Sequence, residues 1–116
     1  MTREDVLAAC ESMPEAELAF PFGEDVAVFK LGGKMFALVG LDEATGSINL
    51  KVDPDDGVEL RRQHPTITPG YHMNKRHWIT VTLDGSVPDD LIDDLIETSY
   101  ALIVSALPVR LRPSTD

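Results

Sequence analysis

Apolar residues recur along this chain with two different periods, and the switches between them divide it into elements. Val6, Leu7, Cys10 and Met13 fall at helical spacing behind Thr2, with Asp5 three places on from Thr2. This is the pattern of a capping box, so a first helix is predicted over residues 3–13, ended by Pro14. A weak strand signal covers residues 16–20. Residues 26–31 and 34–41 flank Gly32 and Gly33, a two-residue hairpin turn, because glycine takes positive φ at both turn positions at little cost. That register sets Leu31 opposite Lys34, Phe29 opposite Phe36 and Ala27 opposite Leu38. Directly opposed residues share a face, so Phe29, Phe36 and Leu38 are assigned to the core. Val26, Val28, Ala37 and Val39 make a second, semi-apolar face that needs partial cover or a partner. Ile48, Leu50 and Val52 then alternate with Ser47, Asn49 and Lys51, a third strand with one wet face.

Asp53 is placed to cap a second helix whose first residue is Pro54, where the missing N–H costs nothing, and which reaches about His64. Residues 65–78, PTITPGYHMNKRHW, are too rich in Pro, Gly and Asn for a regular element and read as one long loop. Strict alternation returns in residues 78–83, with Ile79, Val81 and Leu83 on one face and Trp78, Thr80 and Thr82 on the other. If the aliphatic face is core, Trp78 looks outward, either roofed by its own loop or open to a partner. A third helix is predicted from Pro88 to about Ala106, burying Leu91, Ile92, Leu95, Ile96, Leu102, Ile103 and Ala106. Residues 109–116 are expected to fray. Helix, meander, helix, loop, strand and helix in that order predict a two-layer α+β fold, a mostly antiparallel sheet with its helices packed on one face.

The chain has 116 residues, enough for one domain with a single core. That domain is expected to span residues 1–112, with a disordered tail at 113–116. A hydrophobic share of 43% with 26% charged residues argues against disorder. The single cysteine, Cys10, has no partner for a disulfide and lies on the apolar stripe of the first helix, where it reads as a core residue. No signal-peptide pattern opens the chain and no apolar run approaches the roughly 20 residues that span a bilayer, so a cytoplasmic address without a membrane partner is expected.

Charge changes the picture more than composition does. The net charge is −10, which works against long-range attraction to nucleic acid or anionic lipid. Yet no Asp or Glu falls between Leu60 and Leu83, where Arg61, Arg62, Lys75, Arg76 and all 3 histidines lie. Any anion binding must then be local. Nucleophile elbows, Walker loops, dinucleotide fingerprints and HExxH motifs are absent, so no catalytic residue, metal or cofactor is expected. His72 and His77 are five apart in a loop, a spacing that common zinc motifs do not use. What the window does hold is an anion-binding set. Arg61, Arg62, Lys75 and Arg76 can neutralise phosphates, Asn74, His72 and His77 can hydrogen-bond, and Tyr71 and Trp78 offer faces for stacking.

The blocks FPFGEDVAVFKLGGKMFAL (20–38), LKVDP (50–54), TPGYHMNKRHW (68–78) and LDGSVPDDLI (83–92), with SY at 99–100 in the last helix, resemble the MmcQ/YjbR family of small bacterial proteins. The resemblance runs from about residue 2 to 112. It implies a CyaY-like or secretion-chaperone-like α+β fold and a DNA-binding role through wing-like hairpins. Carried over residue by residue, the implied contacts are His72, Asn74, Lys75, Arg76, His77 and Trp78. Two readings follow: weak, largely sequence-nonspecific DNA binding through the 60–83 window, or a protein-interaction or chaperone-like module that uses the semi-apolar sheet face and Trp78. A small-ligand site beneath the loop is a third. The expected partners are DNA or another protein, with the chain a monomer or a weak homodimer.

Overall fold

The elements of the computed structural model, which describes residues 1–113 apart from Glu43 and His72, begin where the sequence places their caps. Helix α1 (Arg3–Glu11) opens on the capping box: Thr2 Oγ1 accepts from the Asp5 N–H at 3.2 Å, and the Asp5 carboxylate accepts from the Thr2 N–H at 2.9 Å. It stops two residues short of the predicted end. Strands β1 (Glu17–Ala19), β2 (Val26–Leu31), β3 (Lys34–Gly40) and β4 (Ser47–Lys51) follow as a meander. Asp53 then caps α2 (Pro54–Gln63), accepting from the Asp55 N–H at 3.1 Å. Strands β5 (Ile67–Pro69) and β6 (Trp78–Thr82) precede α3 (Asp89–Ala106). All six strands form one antiparallel sheet in the order β1-β2-β3-β4-β6-β5. The helices pack against one face of it, α3 across β3 and β4, α2 against β5 and β6, and α1 beside β3. The two-layer α+β fold is the one the order of elements predicted.

The β2–β3 register departs from the expectation. Leu31 does oppose Lys34 across the two turn glycines, which sit at φ +57° and +83°. Beyond Lys30 and Met35, however, the pairing shifts, so that Phe29 faces Ala37, Val28 faces Leu38 and Ala27 faces Val39. Phe36 is the extra residue of a β-bulge, in which two residues of one strand stand against one of the other. A single shift of register exchanges the faces of everything beyond it. Leu38 therefore leaves the core face for the other one, where Val28 lies. Ala37 and Val39 move under the helices, and Phe36 stays there beside them. The ring of Phe36 packs 6.3 Å from that of Phe29 and edge-on at 5.4 Å to Tyr100.

The bulge also needs a polar partner, and α3 supplies it. Ser99, fully buried, donates to the Phe36 carbonyl at 2.5 Å and accepts from the Lys51 N–H at 2.9 Å. Its hydroxyl closes the gap where β3 and β4 part. The buried stripe of α3 runs Ile92, Leu95, Ile96, Ser99 and Ile103. Leu91 and Leu102 are only half-buried and Ala106 is exposed, because the next place on the stripe, four residues past Ile103, belongs to Leu107.

Two further expectations are corrected. Residues 65–78 are not one long loop, since β5 pairs with β6 through Ile67 opposite Val81 and Pro69 opposite Ile79. Pro69 is tolerated because β5 is an edge strand, with no neighbour to receive the N–H that proline lacks. Residues 109–112 do not fray: a 3-10 turn (Val109–Leu111) folds back, and Arg112 donates to the carbonyls of Leu107 at 3.0 Å and Ser105 at 3.3 Å. Residues 114–116 of the expected tail lie outside the described residues.

Candidate ligand cavity on the uncovered sheet face

Alternation along the strands decides which side chains look away from the helices. One row across the sheet is Val28, Leu38, Asn49, Thr80 and Thr68, each opposed to the next in register. Two residues along, Lys30 opposes Met35, and Lys51 opposes Trp78. Among the described residues no helix covers this face, yet Val28 is fully buried and Leu38 only 7% exposed. Cover for Leu38 comes from the turn carrying Phe22 and from the segment carrying Tyr71 and Met73, which line one cavity with it. Between cover and sheet lies a cavity of about 470 Å³, lined by Phe22, Val26, Met35, Leu38, Asn49, Tyr71, Met73 and Asn74. A smaller cleft of about 280 Å³ separates α2 from α3 and is edged by Asp56, Glu59 and Asp94.

Tyr71 is held over the sheet by its main chain. A Cβ at Gly70 would stand 2.6 Å from the Cβ of Trp78, so only glycine lets the segment descend this close to β6. The Gly70 N–H then donates to the Trp78 carbonyl at 2.9 Å. Next, the Tyr71 N–H donates to Thr80 Oγ1 at 3.1 Å, and the Thr80 hydroxyl donates to Asn49 Oδ1. A hydroxyl has one proton, and one that accepts from an amide is free to spend it on an acceptor. In this arrangement the Asn49 oxygen points to Thr80, and its NH2 group is left as a pair of donors on a cavity wall. Tyr71 is 69% exposed and Phe22 63% exposed, and both line the cavity, so two aromatic residues stand between it and solvent.

The predicted binding residues do not come together as one patch. Arg61 and Arg62 stand on α2, in the helix layer on the other side of the sheet. Arg62 is hydrogen-bonded to Glu59, which holds that carboxyl below its ordinary range and raises the guanidinium. Arg61 lies along α2 with Nη1 buried, 3.1 Å from where a Cβ of Gly57 would be. Lys75 donates to the Gly70 carbonyl at 3.2 Å, and Asn74 Oδ1 accepts from the Arg76 N–H at 2.9 Å, so both side chains serve their own segment. The Arg76 side chain is exposed. His77 is half-buried, with its carbonyl accepting from the Val52 N–H at 2.8 Å. Trp78 faces away from the core, as its alternation predicted, and is half-roofed by the segment at Gly70. Of the predicted set, Tyr71 and Asn74 line the cavity. His72 lies outside the described residues.

Phe22, Met35, Asn49 and Met73 were not among the predicted binding residues, Val26 was assigned to the semi-apolar second face, and Leu38 was assigned to the core. Asn49 had a signal, a carboxamide on the wet face of a strand. Met35, before the bulge, had its face in the alternation, opposite Lys30, but Leu38 had no signal, because the bulge that turns it to this face leaves no mark in the periodicity. Among the described residues no three of His, Cys, Asp and Glu cluster as metal ligands, and no helix is long and apolar enough to cross a membrane.

Comparison with known proteins completes the picture. The YjbR family model matches residues 11–102. YbdF of Escherichia coli O157:H7 is 43% identical over 98 residues, 84% of this chain and 80% of that one. YjbR of Escherichia coli (strain K12) is 37% identical over 112 residues, 97% of this chain and 95% of that one. A crystal structure from Deinococcus radiodurans superposes with a TM-score of 0.89 at 40% identity, over 95% of this chain and 84% of its own. One from Pseudomonas syringae gives 0.77 at 33% identity, over 88% and 98%. With motifs, element order and backbone in agreement over nearly its whole length, the chain belongs to the YjbR family.

Proposed function

We propose that this is a binding protein without catalytic chemistry of its own, and that its working surface is the uncovered sheet face. A small, largely apolar, ring-bearing molecule seats in the cavity beneath Tyr71. The observation that carries the reading is the cavity itself: its volume falls within the roughly 300–1,000 Å³ of ligand pockets, its walls are mostly apolar, and the polar side chains in its lining are Asn49, Asn74 and Tyr71. Asn49 offers fixed donors to a carbonyl or ring nitrogen, while Phe22 and Tyr71 offer faces to a ring. The test uses the neutral dye N-phenyl-1-naphthylamine, whose emission rises in apolar surroundings. Wild-type protein should bind it saturably, and Met73→Trp, which fills the cavity from its cover side, should abolish the signal while circular dichroism stays unchanged. Equal binding by the variant removes the reading.

A second reading, weak DNA binding, is favoured by one feature: Arg76 is exposed on the segment bordering this face, which also bears Lys30 and Lys51. Its contacts would differ from the window first considered, since Arg61 and Arg62 belong to the other layer. Three phosphate contacts give a salt slope of only about −3 in log affinity. Lys51→Ala with Arg76→Ala should flatten that slope, and an unchanged slope excludes it.

A further inference from the structure

Charge is distributed unevenly between the two layers. Of the chain's 20 carboxylates, three lie on α1, three on α2 and five on α3. The strand positions that face the uncovered side carry Lys30 and Lys51 and one acid, Glu17, which opposes Lys30 in the register. Among the described residues Lys51 has no such cross-strand neighbour: Trp78 stands opposite it, and the next carboxylate along the chain, Asp53, is turned to the Asp55 N–H. Neither lysine makes an ion pair among the described residues. Both start beside the cavity. Met35, a wall residue, is the direct cross-strand partner of Lys30, at a Cβ separation of about 5 Å. Asn49, another wall residue, precedes Lys51 by two places on the same face, about 7 Å. A lysine stem spans such a distance with its ammonium still in water.

From this juxtaposition we infer that the ligand of the cavity is an amphipathic anion, with an apolar, ring-sized body among Phe22, Leu38 and Met73 and a carboxylate or sulfonate head at Lys51, assisted by Lys30. The inference rests on the cavity being the binding site and adds the class of ligand. An acidic protein whose strand positions on the uncovered face carry one acid against two lysines repels an anion less there than at its helix layer, where eleven carboxylates lie. The opposite end of the cavity, where Asp25 precedes Val26, disfavours a second negative group, so the body enters that end and the head stays at the Lys51 end.

The experiment compares two dyes of similar shape, anionic 8-anilinonaphthalene-1-sulfonate and neutral N-phenyl-1-naphthylamine, on wild type, Lys51→Gln, Lys51→Arg and Met73→Trp. The expected result is that the anion binds more tightly than the neutral dye, that Lys51→Gln weakens only the anion by about three- to tenfold, and that Lys51→Arg restores it. Raising salt from 50 to 500 mM should weaken the wild-type anion complex and leave the neutral one alone. Met73→Trp should abolish both. If both dyes bind wild type alike, with no response to salt or to Lys51→Gln, the anion inference is overturned and the cavity reading stands. If neither dye binds, or Met73→Trp changes nothing, the cavity reading falls and takes the inference with it.

Discussion

Replacing Ser99 with alanine removes one hydroxyl that serves two main-chain groups from different strands. The β3–β4 ladder stops at Ala37 opposite Leu50, one step short of the Phe36 carbonyl and the Lys51 N–H, and Ser99 Oγ bridges those two at 2.5 and 2.9 Å. Ser99 is fully buried on the sheet-facing side of α3. In Ser99→Ala a donor and an acceptor therefore face a dry gap, at a cost of about 1–3 kcal/mol for each. Partial relaxation of the bulge reduces the sum to about 2–4 kcal/mol. With an unfolding entropy of about 2.1 cal/mol/K per residue, each kcal/mol in a chain of 116 residues lowers Tm by about 4 °C, so a fall of about 8–16 °C is expected. Thermal melts followed by circular dichroism measure that shift, and hydrogen exchange at the Lys51 amide reads the lost bond directly. A Tm within about 2 °C of wild type, with Lys51 exchange unchanged, would refute the bridging role.

Other consequences follow from single contacts. Gly70→Ala puts a methyl 2.6 Å from Trp78 Cβ and 3.1 Å from its carbonyl oxygen, so the segment has to rise; a loss of about 1–3 kcal/mol and a shift in indole emission are expected, and unaltered emission counts against that packing. Burial pushes the Cys10 thiol up to about 12, so a disulfide reagent at pH 8 should label it only as fast as the protein opens, and prompt labelling contradicts its place in the core. Hydrogen bonds from Thr2, chiefly its N–H, hold the Asp5 carboxyl below its ordinary 3.8. A depressed folded-state value contributes stability above the unfolded value and loses it as pH falls through the folded one. Asp5→Asn should thus flatten the acid limb of a stability profile below about pH 4, and an identical limb in both proteins rejects the capping box as its source.

Much of the molecule was legible in its sequence. Thr2 with Asp5 and Asp53 with Pro54 placed two helix starts, and the paired glycines placed a hairpin, because caps and turns are settled within a few residues by local hydrogen bonding and allowed φ. Alternation at Ile48 and Leu50 and at Ile79 and Val81 gave two central strands with their buried sides. It failed at Phe36, where one extra residue restarts the alternation, and at β5, where three residues rich in Thr and Pro acquire strand geometry only by pairing with β6. Ser99 entered only through the SY pair of the family resemblance, and its spacing gave no sign of the bridge, as a serine on an apolar helix stripe reads as a minor interruption.

The candidate site divides along the same line. Tyr71 and Asn74 were visible as unusual residues in a crowded stretch, and the acid-free window around them was real as a feature of the chain. Sequence proximity nevertheless joined Arg61 and Arg62 to them, and the sheet sets these apart by lying between. By itself the sequence determined the class of fold, the caps, the buried faces of regular strands and the overall negative charge, since each depends on a residue and neighbours within about one turn or one strand. The bulge, the Ser99 bridge, the cavity and the gathering of Lys30 and Lys51 beside it were decided by tertiary structure. They arise where segments far apart in the chain meet, and no local period encodes which of them will do so.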